Sequence, residues 1–183
     1  MCLLEKIVTT FVFGLAFGSF FNSCIYRIPR HISVAWPASA CTECGIRLSP
    51  LELVPVLSVM WQGGRCRHCH ARIPWTYPLV ELATGVLFAA TVARHGVSAE
   101  TFRDLALVSL LVVVTGIDLE HYVIPNSVLL VGAAASIPLV LLAPAGGWWA
   151  APVGGAVGGL IMAIIVLASR GGMGAGEEIK RNG

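Results

Sequence analysis

The chain has 183 residues, 56% of them hydrophobic and only 12% charged, with a mean hydropathy of +0.81. A soluble domain carries about 25% charged residues, so this composition excludes an ordinary soluble globule and indicates an integral membrane protein. A net charge of +2 is too small to argue for a nucleic-acid partner. The lipid bilayer is the partner that composition implies.

Residues 7–26 form the first candidate span, about 30 Å long at ~1.5 Å per residue, which matches a bilayer core. A cleaved signal peptide is not expected: this run lacks a basic start and a small-residue cleavage site, and it leads into Tyr26, Arg27 and Arg30. Gly14, Gly18 and Ser19 place small residues on neighbouring turns, where a second helix can approach closely.

A polar loop follows, from Arg27 to about Trp75. Five prolines (Pro29, Pro37, Pro50, Pro55 and Pro74) argue against long regular helices within it. Its strongest signal is Cys41-Thr-Glu-Cys44, then twenty-one residues, then Cys66-Arg-His-Cys69. Paired Cys-x-x-Cys knuckles at such a separation suit one tetrahedral zinc held by Cys41, Cys44, Cys66 and Cys69. Gly45, Gly63 and Gly64 supply tight turns beside them. The competing readings are a disulfide or buried free thiols, and His68 or His70 replacing a thiolate. Thiolate ligation implies a reducing compartment. Between the knuckles, LELVPVLSVMW is apolar enough for a short strand or for lying on the membrane surface.

Further candidate spans cover about 77–93, 102–117, 127–142 and 149–168, with Trp148 and Trp149 as interfacial anchors. Glu81, near the start of the second span, reads most simply as a carboxylate reaching the headgroup layer. Five spans place residues 27–76, 118–126 and 170–183 on one side, with nine Lys or Arg against three on the other. The positive-inside rule makes that side cytoplasmic. The expected fold is therefore an all-α polytopic membrane protein of about five transmembrane helices, with a small cytoplasmic zinc-binding loop between the first two.

On the same side lie Asp118, in GIDLEHYVIPNS, and Glu177, in GGMGAGEEIK. Acids at a membrane boundary often mark only a helix end, but they are also candidates for function. Two carboxyl groups held close cannot both ionise easily. One then stays protonated while the other acts as base on a water, and such a pair hydrolyses peptide bonds.

Several stretches, in order, carry a specific resemblance: GSFFNSCIYRIPR at 18–30, the two knuckles, LVPVLSVMWQGGRCRHCHARI at 53–73, YPLVEL at 77–82, DLEHYVIPN at 118–126 and GMGAGE at 172–177. Together they resemble the bacterial prepilin peptidases, the type IV leader peptidase family of membrane aspartic proteases, many of which are also N-methyltransferases. The resemblance implies an enzyme of the bacterial inner membrane serving type IV pilus or type II secretion systems, with a prepilin or pseudopilin as substrate. It implies cleavage after a glycine, then methylation of the new N-terminus with S-adenosylmethionine. Asp118 takes the place of the first catalytic aspartate. Glu177 takes the place of the second, ending Gly174-Ala175-Gly176-Glu177 where the family has Gly-x-Gly-Asp.

The implied division is a first transmembrane segment over 1–26, a zinc-binding domain over 27–76 and a transmembrane peptidase domain over 77–183. Family members usually continue into further helices, so the last is expected to be truncated. Two alternatives stay open: a family member with impaired catalysis, and a non-enzymatic membrane protein whose zinc loop binds a partner.

Overall fold

The longest apolar run becomes the longest helix. In a computed structural model of the chain, which describes residues 2–122, 125–142 and 149–168, α1 spans Leu3–Arg27, α2 Leu57–Trp61, α3 Thr76–His95, α4 Ala99–His121, α5 Asn126–Leu142 and α6 Ala150–Ala168. The five long helices match the five apolar stretches in order. Among the described residues, α1 and α3 are the two that are long and apolar enough to cross a membrane. In α4 the charges of Glu100, Arg103, Asp104, Asp118 and Glu120 confine the uncharged run to residues 105–117, and α5 and α6 give shorter apolar runs.

The contact between α1 and α3 rests on missing side chains. A Cβ at Gly18 would lie 2.6 Å from Glu81 Cα, and one at Gly14 would lie 2.8 Å from Gly85 Cα. Only glycine permits backbones this close, which is how small residues four apart join helices in membranes. These pairings run in opposite directions along the chain, so α1 and α3 are antiparallel. Phe17 meets Phe88 with ring centroids 5.9 Å apart beside the glycine seam.

A tight connection returns the chain from α3 to α4. Gly96 takes φ +64°, the hydroxyl oxygen of Ser98 accepts from Thr101 N–H at 3.3 Å, and Thr101 Oγ1 donates to the Gly96 carbonyl at 2.7 Å. His95 lies 3.5 Å from Glu100 and 3.3 Å from Asp104 across this turn. The far end of α4 thereby meets the far end of α1, where Ile25 and Ile117 share the core with Phe21, Phe88, Val113 and Val128. Outward-facing Val12, Phe13, Phe20, Leu79, Val86 and Leu87 stay exposed on α1 and α3.

The loop has little regular structure, as its prolines dictate: a 3₁₀ turn over Pro50–Leu53 and the five-residue α2. No strand occurs among the described residues, only isolated bridges pairing Ala40 with Arg47 and Arg65 with Arg72. LELVPVLSVMW is therefore not a strand, because it breaks at Pro55 into the 3₁₀ turn and α2. By internal packing the chain divides into residues 1–139 and 140–183. The second unit contains α6.

Candidate functional site

The two bridges each close one cysteine knuckle. In the first, Cys41 N–H donates to Ile46 and Gly45 N–H donates to Cys41, both at 2.9 Å. In the second, Cys66 N–H donates to Ala71 at 2.9 Å and His70 N–H to Cys66 at 3.0 Å. Gly45 (φ +71°) and His70 (φ +59°) occupy the same left-handed position. The histidine is used there as a turn residue, and both it and His68 are exposed.

This pair of hairpins brings the sulfurs of Cys41, Cys44, Cys66 and Cys69 within 4.8 Å of one another. Cys41 Sγ and Cys69 Sγ are 3.9 Å apart. Metal–sulfur bonds of ~2.3 Å in a tetrahedron put the sulfurs roughly 3.8 Å apart, whereas a disulfide needs ~2.05 Å. The sulfurs of all four cysteines are unbonded to one another, and their spacing fits a shared metal better than a disulfide, so the cluster could hold one metal ion.

The electrostatics prepare the thiols unequally. Cys66 accepts from the backbone N–H groups of Cys69 and His68, which lowers its pKa to about 6. Cys69 accepts from Ala71 N–H, which favours its thiolate, yet desolvation and crowding by Cys66, Cys44 and Cys41 push it up to about 12. Four sulfurs this close resist collective ionisation until a cation neutralises them.

Beside the cluster is a cavity of about 610 Å³, bounded by the last turns of α1, the cysteine loop and the first turns of α3. Glu81 lines it and is only 6% exposed. Its Oε2 accepts from Val56 N–H at 2.7 Å, so it does not reach the headgroup layer as its sequence position suggests. The residue that donates is strained. Val56 has φ +62° and ψ −52°, with Leu57 N–H donating to the Pro55 carbonyl at 2.6 Å. This is a γ-turn of the rare positive-φ kind, and a β-branched residue rarely adopts it. Buried Asn22 also lines the cavity and donates to the Tyr77 carbonyl at 3.0 Å.

Asp118 is exposed in the last turn of α4, where its carbonyl accepts from Tyr122 N–H at 2.8 Å. It makes no salt bridge among the described residues. The same end of the bundle carries the cysteine loop: Arg30 Nη1 donates to His121 Nε2 at 3.2 Å, tying the two regions three residues beyond Asp118. Glu177 lies outside the described residues. The sequence singled out the cysteines and Asp118 but missed the cavity, the Val56 turn and the Arg30–His121 contact. A lone acid in an apolar helix was the available signal for Glu81.

Antiparallel helices of membrane length, with four clustered thiols that could hold a metal ion in the loop at one end and an exposed acid at the end of α4, define a helical protein with a cysteine-rich head. Comparison with known proteins makes this specific. The Bacterial Peptidase A24 N-terminal domain matches residues 12–95, and the Type IV leader peptidase family matches residues 105–177. A prepilin leader peptidase/N-methyltransferase of Bacillus subtilis is 40% identical over 167 residues, covering 91% of this chain and 67% of that protein. One from Myxococcus xanthus is 45% identical over 132 residues, 72% of this chain and 39% of the relative. One from Aeromonas salmonicida is 32% identical over 184 residues, 87% of this chain and 62% of the relative. The chain belongs to the type IV leader peptidase family. It spans about two thirds of the Bacillus protein and much less of the Myxococcus one. No solved structure matches it.

Proposed function

We propose that the chain is a membrane aspartic endopeptidase that removes the leader of a type IV prepilin or pseudopilin at the cytoplasmic face of the bacterial inner membrane, and that it then N-methylates the new N-terminus. The observation that carries this reading is the family relationship over 91% of the chain, with the peptidase match beginning ahead of Asp118 and ending on Glu177. Asp118 and Glu177 are the proposed carboxyl pair. One remains protonated and polarises the scissile carbonyl, and the other takes a proton from the attacking water. Asp118 is exposed at a helix end, where water and an extended peptide reach it.

The membrane topology proposed is five crossings. The loop end of residues 1–139 carries Arg27, Arg30, Arg47, Arg65, Arg67 and Arg72, against Lys6, Arg94 and Arg103 at the other end, which supports a cytoplasmic loop. Zinc is the proposed ion of Cys41, Cys44, Cys66 and Cys69. A closed four-thiolate set leaves no open position for substrate, so its role is structural. S-adenosylmethionine is the proposed methyl donor, supplying a carbon made electrophilic by its sulfonium. The cavity of about 610 Å³ lies in the ~300–1,000 Å³ range of small-molecule sites and has carboxylates to meet that positive charge.

A second reading, a family member with impaired cleavage, is favoured by Glu177, whose extra methylene displaces the carboxyl by ~1.5 Å. Misplacement on that scale costs around a hundredfold in rate. The test is leader cleavage in membranes by the wild-type chain and by Glu177→Asp. Cleavage by the wild type supports the peptidase. Cleavage only by Glu177→Asp supports the impaired reading, and cleavage by neither contradicts both.

A further inference from the structure

Helix α2 is reversed for a segment in water. Leu57, Met60 and Trp61 share one face, at spacings of three and four residues, and are 51%, 71% and 59% exposed. Ser58 is buried and, with Gln62, lines the cavity. A helix on a water-facing surface turns its apolar side inward and its polar side out; this one does the opposite. Leu51 and Leu53, on the 3₁₀ turn that packs beside it, are exposed as well.

What meets this face is set by where α2 is held. Val56, its N-cap residue, donates to Glu81 Oε2 at 2.7 Å, and Glu81 lies five positions into α3, about 7.5 Å along its axis. Beyond α2, Ile73 N–H donates to the Gly64 carbonyl at 2.8 Å, which folds the chain back to the start of α3. Helix α2 is therefore fixed beside the opening turns of a helix long and apolar enough to cross a membrane. Trp75, the N-cap residue of that helix, is 81% exposed, an aromatic placed where the interface of a bilayer would begin.

The charges nearby select the kind of surface. Arg65, Arg67 and Arg72 are exposed and form no salt bridge among the described residues. Arg65 and Arg72 oppose each other across an antiparallel bridge, a pairing of like charges that costs stability in isolation. A layer of phosphates relieves that cost. We infer that α2 lies in the headgroup layer of an anionic bilayer, with Leu57, Met60 and Trp61 at the acyl boundary and with Arg65, Arg67 and Arg72 drawn to lipid phosphates. The loop is thereby held to the membrane at α2 as well as through α1 and α3. This inference rests on α1 and α3 crossing the membrane and on nothing about cleavage.

The test is tryptophan quenching of the full chain in nanodiscs of phosphatidylglycerol or of phosphatidylcholine, with part of the lipid brominated near the headgroup. The signal of Trp61 is the difference between wild type and Trp61→Phe, and that of Trp75 the difference between wild type and Trp75→Phe. Brominated phosphatidylglycerol should quench Trp61 by about twofold or more, and acrylamide in the water should quench it little. Phosphatidylcholine, or glutamine in place of Arg65, Arg67 and Arg72, should at least halve the lipid quenching. Should Trp61→Phe fail to fold, oxidation of Met60 in the wild-type chain by a water-borne oxidant carries the test; it should be severalfold slower on phosphatidylglycerol than on phosphatidylcholine. Trp61 open to acrylamide and untouched by bromine, with Trp75 quenched by bromine, overturns this inference alone; if neither is quenched by bromine, the placement of α3 falls with it. Protection of Trp61 from both reagents assigns the face to protein, a second copy where the protection vanishes in nanodiscs holding one chain, and overturns the inference. Equal lipid quenching on the two lipids contradicts the anionic specificity and with it the inference as stated.

Discussion

Replacing Gly18 by alanine probes the seam that supports everything at the loop end. The added Cβ would meet Glu81 Cα at 2.6 Å, Glu81 O at 3.2 Å and Thr84 Cβ at 3.2 Å. Carbon contacts settle at ~3.5–4.0 Å, so α1 and α3 must part locally by about 1 Å. The obstacle is backbone, and no rotamer change relieves it. Overpacking costs about 1–3 kcal/mol, and the backbone obstacle places Gly18→Ala in the upper half of that range. For a chain of this length that lowers the melting temperature by about 5–10 °C. Gly85→Ala is the control, because its Cβ would meet the side chains of Leu15 at 2.9 Å and Phe11 at 3.0 Å. Those can turn aside, so the cost should stay below ~1 kcal/mol. The assay is thermal unfolding of the two variants in one detergent. A Gly18→Ala protein within about 2 °C of wild type, or a Gly85→Ala protein equally destabilised, would refute the argument that backbone contact joins these helices.

Metal analysis of the purified chain should find one zinc, lost when Cys41 and Cys44 are changed to serine; full zinc in that variant would contradict the four-thiol site. Val56→Gly relaxes the positive φ and should stabilise the folded chain by up to about 1 kcal/mol in thermal unfolding; destabilisation would mean the valine side chain outweighs the strain. Glu52 is held below the usual carboxylate range, first by the Ser49 backbone N–H and then by its hydroxyl. That stabilisation is present above the unfolded value of ~4.3 and is lost as pH falls through the lower folded value. Glu52→Gln should therefore flatten the acid limb of stability against pH, and an unchanged limb would exclude Glu52 as a contributor.

The long helices were legible because membrane length and apolar composition act locally. Gly14 and Gly18 announced their role because only small residues four apart serve it. The knuckles were legible because Cys-x-x-Cys spacing dictates the turn that presents the sulfurs. Glu81 was misread: its enclosure depends on Val56, twenty-five residues earlier, folding back over it, and no local pattern encodes that pairing. The γ-turn at Val56 was equally hidden, since proline followed by valine usually reads as extended chain. Arg30 and His121, ninety-one residues apart, meet only because the tight turn at Gly96 brings α4 back beside α1.

The most direct measurement follows a prepilin by mass spectrometry in proteoliposomes containing either the wild-type chain or Asp118→Asn. Removal of the leader by the wild type, with loss of at least a thousandfold in rate in the variant, is the predicted result, since an amide cannot serve as the base on water. Cleavage that continues unchanged in Asp118→Asn would contradict the account.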